Sequence, residues 1–152
     1  ARGVLKAFLE AEIDTLGAVL RSIEGEHEAL AGGDAGAIEA AAQRKSGALR
    51  AHATQQRQRH DWMTQQSLDP AMPLSRLAGD DDPALEKTVV RLGELARACD
   101  GENRRNGALI QRLQDRTRNA LGVLRGSGDQ GDVYSGSGGQ EHGSDRRILG
   151  KA

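Results

Sequence analysis

The stretch "PALEKTVVRLGELARACDGENRRNGALIQRLQDRTRNALGVL", Pro83 to Leu124, decides the fold. Within it Leu85, Val89, Leu92, Ala96, Cys99, Asn103, Asn106, Ile110, Leu113, Thr117, Ala120 and Leu124 follow one another in strict four-three alternation. That spacing lines them along one side of an α-helix, and its persistence is coiled-coil geometry. Asp82 followed by Pro83 reads as an N-cap and first helical residue, because proline has no N–H to leave unpaired there and its φ is already helical. The stretch predicts a long helix from Pro83 to about Arg125.

Upstream, Pro70, Pro73 and "GDDDP" bar helix continuation, so Ser67 to Asp82 is expected to be a loop. Before it, helix two is expected over about Ala35 to Gln65, with Ile38, Ala42, Lys45, Leu49, His52, Trp62 and Met63 as a weak stripe. Helix one, about Val4 to Leu30, carries Leu5, Leu9, Leu16, Val19, Ile23 and Leu30 at spacings of three, four or seven. Gly32 and Gly33 end it and Asp34 caps its successor, a turn short enough to make the two helices antiparallel neighbours. Downstream of Leu124, "RGSGDQGDVYSGSGGQ" loses all periodicity. The expected architecture is all-α: an antiparallel hairpin plus a long third helix over residues 1–125, then a flexible Gly-rich tail over 126–152.

Composition narrows the function. Aromatic residues make up 2% of the chain, namely Phe8, Trp62 and Tyr134, while charged residues reach 28% with a net charge of −1. That balance argues against a general polyanion binder. A single cysteine, Cys99, excludes an internal disulfide and fits a reducing cytosol. No apolar run is long enough to span a bilayer and no basic-then-apolar leader opens the stretch, so a cytoplasmic location is expected.

No catalytic or metal-binding constellation emerges, and neither enzyme activity nor a cofactor is expected. Glu24 and His27 in "EGEHE" have the spacing of bundle-type metal ligands, but the pair occurs once and reads as a charged solvated face. His52 and His60 are flanked by Arg and Gln, and His142 lies in the tail. Cys99 sits mid-helix on the seam, where a small buried residue is wanted and nothing lowers its pKa. The arginines of "QQRQRH" and "NRRNGALIQRLQDRTRN" read as solvated helix faces with carboxylate partners. Asn103 and Asn106 differ, because they fall on the seam itself, where an amide is costly unless paired. Gly107 beside them removes a side chain. A polar, thin-walled spot in a long helix calls for the close approach of another helix or of a partner.

Taken together, "QRKSGALRAH", "ENRRNGALI" from Glu102 to Ile110, the leucines up to Leu124, the tail "VYSGSGG" and the closing "RRILGKA" resemble the flagellar export chaperone family FlgN. The specific part is the ordered set Asn103, Asn106, Gly107, Leu109, Tyr134, Gly136 and Arg147 to Ala152. The resemblance implies a small helical cytosolic chaperone without catalytic activity. It would bind hook-filament junction proteins (FlgK/FlgL-like), prevent their premature association and deliver them to the flagellar type III export gate (FlhA-like). Carried onto this sequence, Asn103, Asn106, Gly107, Ile110, Leu113 and Leu124 become the client-binding residues and Tyr134 the gate-docking residue. Ala108 and Ser135 depart from the family pattern, in which a bulkier apolar residue follows the glycine and a glycine follows the tyrosine. The residues alone leave open a homo-oligomeric coiled-coil adaptor, an Arg-rich nucleic-acid-binding helix, and self-association in the absence of client.

Overall fold

The computed structural model describes the backbone of residues 1–135 and the side chains of residues 1–126. Four helices follow one another: α1 (Arg2–Gly32), α2 (Ala35–Gln65), α3 (Leu74–Ala78) and α4 (Pro83–Ser135), with no strand among the described residues. By its internal contacts the chain divides into two units, Ala1–Gln111 and Arg112–Ala152.

The first unit is an up-down-up arrangement of three long helices. Gly33 takes φ 73°, a left-handed value that a glycine adopts without strain, and its N–H closes α1 on the Ala29 carbonyl at 3.1 Å. Asp34 then caps α2, its Oδ2 accepting from the Ala37 N–H at 3.2 Å. The reversal is immediate, so α2 runs back along α1 and brings Trp62 against Phe8 with ring centroids 5.6 Å apart. At the start of α4, Asp82 Oδ1 accepts from the Leu85 N–H at 3.0 Å and Pro83 occupies the first turn.

The core explains why the seams of α1 and α4 were easy to see and that of α2 was not. Leu5, Leu9, Ile13, Leu16, Val19 and Ile23 of α1 pack with Leu85, Leu92 and Cys99 of α4. The spacings of seven in α1 skip Glu12 and Glu26, and both are buried on the same face. Each needs a cation, and α2 supplies them. Arg59 Nε donates to Glu12 Oε1 at 2.5 Å, and Lys45 Nζ donates to Glu26 Oε1 at 2.8 Å. The stripe of α2 is therefore weak in apolar residues because Lys45, His52 and Arg59 recur on it every seventh residue. Its buried members are Ala41, Arg59 and Met63, and Ala41 takes the place expected for Ala42.

Two boundaries differ from expectation. The loop after α2 contains α3, whose first turn is closed on the Pro73 carbonyl by the Arg76 N–H at 2.9 Å and whose Leu74, Leu77 and Ala78 pack on the core. Five residues are too few for periodicity to register. The second difference is that α4 does not stop near Arg125: its backbone is helical through Ser135. Glycine costs a helix about 1 kcal/mol per residue relative to alanine but does not break it, and extending a formed helix fixes one residue per hydrogen bond gained. No proline follows Pro83 to force a stop. The rest of the expected flexible tail, with His142 and the terminal "RRILGKA", lies outside the described residues.

Candidate functional site

The seam of α4 changes character along its length. Leu85, Leu92, Cys99 and Asn106, spaced by seven, are buried, whereas Ala96 and Asn103 between them are exposed. Cys99 is a packing residue. Its Sγ donates to the Leu16 carbonyl at 3.6 Å, and burial pushes the thiol's pKa up, away from a reactive thiolate.

Asn106, with 0% of its surface exposed, ends the buried series. Its Nδ2 donates to the Ile23 carbonyl at 2.8 Å and to Glu26 Oε1 at 3.1 Å, while its Oδ1 lies 3.1 Å from His27 Nδ1. With Oδ1 as acceptor, the proton belongs on Nδ1 of His27. Lys45 spans from Glu26 to Asn103 Oδ1 at 3.1 Å, closing a polar junction of three helices around one carboxylate. The seam amide is costly only if unpaired, and every polar atom of Asn106 is paired. His27 thus serves this junction, and the described residues contain no cluster of metal-ligating side chains.

A second polar set lies deeper in the hairpin. His52 Nδ1 is 3.0 Å from Thr15 Oγ1, beside the Glu12–Arg59 pair, and burial lowers the His52 pKa below its ordinary 6.5, against the opposing pull of Glu12. Arg59, expected on a solvated face, is buried because the seam glutamate requires it. Glu12, His52 and Arg59 line a groove of about 500 Å³ between α2 and α4, together with Leu74, Val89 and Ala96.

The remaining predicted residues stand apart from that interior. Gly107 is exposed, and a methyl group added there would meet nothing within 4 Å, so no helix of the described residues approaches it closely. Ile110 is half-buried. In the second unit Leu113 is half-buried, and the seam and its flanks then surface completely: Leu121, Val123 and Leu124 are 51%, 69% and 69% exposed. Leu121 and Val123 were not singled out from the sequence, because they flank the four-three seam rather than lie on it. Tyr134 falls in the last turn of the α4 backbone, and its side chain lies outside the described set.

The family model described as "FlgN protein" matches residues 3–142. This chain belongs to the FlgN family. FlgN proteins are flagellar export chaperones that bind hook-associated proteins, and theirs is a chaperone family, not an enzyme family. Neither the curated proteins nor the solved structures yield a match. Among the described residues of this FlgN-family chain, no helix is long and apolar enough to cross a membrane.

Proposed function

We propose that this FlgN-family protein is a cytosolic chaperone for hook-filament junction proteins (FlgK/FlgL-like), which it holds on the second half of α4, keeps from associating prematurely and delivers to an FlhA-like export gate. The observation that carries the reading is the run of exposed Leu121, Val123 and Leu124 on a helix whose upstream seam is spent on its own core. A helix face of that kind suits the helix-in-groove mode of recognition, in which the client contributes a complementary apolar stripe.

In this reading Asn103, Gly107, Ile110, Leu113 and Leu124 offer surface to the client. Asn106, whose amide is fully engaged inside the bundle, acts from behind by holding α4 in register on α1. Tyr134 supplies the gate contact, with a ring to fill a pocket and a hydroxyl to hydrogen-bond there.

The test is capture of junction proteins from the cytosol of a flagellated cell by the wild-type protein and by Leu113→Asp, Leu124→Asp and Tyr134→Ala. The two aspartate variants are expected to lose the client with helix content retained, because a charge forced against an apolar stripe costs several kcal/mol once buried. Tyr134→Ala is expected to keep the client and lose the gate. Undiminished capture by a well-folded Leu124→Asp protein sinks the client assignment, and undiminished gate binding by Tyr134→Ala sinks the docking assignment.

A further inference from the structure

The second half of α4 carries a charge pattern as well as an apolar face. From Arg112 to Arg125 there are four arginines, Arg112, Arg116, Arg118 and Arg125, against one carboxylate, Asp115, in a chain whose net charge is −1. At roughly 100° per residue, Leu113, Ala120 and Leu124 form one line, with Val123 widening it on one side and Leu121 on the other. Arg112 and Arg116 fall along the Val123 margin and Arg125 beside the Leu121 margin, with Arg118 beyond Arg125 toward the opposite face. Asp115 falls near the opposite face, where it pairs with Arg118 at 3.6 Å. The stripe is thus bordered by guanidinium groups on both sides, and all four arginines are exposed.

We infer that the client segment held here is an amphipathic helix whose apolar stripe is bordered on both margins by aspartate or glutamate. The inference rests on the reading that this face holds the client, and adds the chemistry of the segment held. In paired helices the residues flanking the seam set partner choice through interhelical charge pairs. Charges at the rim of an interface act mainly on encounter rate and discrimination, and the arginine fork fits a carboxylate with two parallel hydrogen bonds. A second copy of this face is a poor occupant, since it would set four arginines against four. A nucleic acid would engage the arginines and leave the leucines in water.

Three designed helical peptides that share one leucine stripe and differ only at its margins, which carry glutamate, glutamine or lysine, are titrated into the full-length protein. The glutamate peptide is expected to bind at least about tenfold more tightly than the glutamine peptide at low salt, with the advantage shrinking as salt is added. In an R112E/R116E/R118E/R125E variant the preference should pass to the lysine peptide. Equal affinity for the three, binding of none, or an unchanged preference in the reversed variant overturns the inference. So does displacement of the glutamate peptide by a single-stranded oligonucleotide, or a dimer that Leu121→Asp dissociates. Junction-protein capture by a folded Leu121→Asp variant separates the two levels. If capture falls while the peptides show no charge preference, the client face stands and only its acidic counterpart is wrong; if capture is unaffected, the client face falls as well.

Discussion

A guanidinium and a carboxylate removed from water together are stable only while both are present. Glu12 and Arg59 are in that position, both buried and 2.5 Å apart. Arg59→Met is therefore expected to destabilise the protein by about 3–5 kcal/mol, since it strands a buried charge, whereas Glu12→Leu combined with Arg59→Met should fall near wild type. Urea unfolding of the two single variants and the double variant checks this, and a double variant as unstable as the sum of the singles contradicts it. Asn106 follows the same logic with a neutral group, because replacing it would leave Glu26 with Lys45 as its remaining partner in the junction. These residues were only partly legible beforehand. A polar residue on an apolar stripe is visible from spacing, as Asn103 and Asn106 were. A glutamate hidden in a spacing of seven, such as Glu12 or Glu26, looks like a gap unless the facing helix is examined for a cation at the matching place.

The helices themselves were more legible, since the Asp34 and Asp82 caps and the Gly33 stop are local chemistry that acts on nearest neighbours. What sequence could not supply was the end of α4, because glycine lowers helix propensity without setting an endpoint. The same argument yields a prediction at Gly107, which sits inside α4 with open space where a methyl group would go. Gly107→Ala should raise stability by about 1 kcal/mol through helix propensity alone. It should also lower client affinity if the client helix approaches the bare backbone at that point. Thermal denaturation together with a binding isotherm on the same preparation checks both; a variant with no gain in stability contradicts the first, and one with unchanged affinity removes Gly107 from the client surface.

For the bundle as a whole, the polar pairs between α1 and α2 make stability respond to pH. His52 has its pKa lowered by burial, so below 6.5 the unfolded chain takes up a proton at this site more readily than the folded one. Its contribution is complete above 6.5 and is lost as pH falls through the lowered folded value. The melting temperature should therefore decline on acidification from about pH 7.5 to about pH 5.5, by a modest amount because the ring is partly solvated, and His52→Gln should flatten the decline. An identical profile in that variant would assign the effect to other groups. The two buried glutamates carry a further consequence, which concerns trespass. A chaperone that receives amphipathic helices runs the risk that one of them displaces its own α2 from α1. Glu12 and Glu26 lie two heptads apart, as do their partners Arg59 and Lys45. An intruding helix with a purely apolar stripe would strand both carboxylates without cations, and a hairpin slipped by one heptad, about 10 Å, would also part both pairs. The interior is thereby closed to a helix of the kind proposed to dock on the surface leucines of α4.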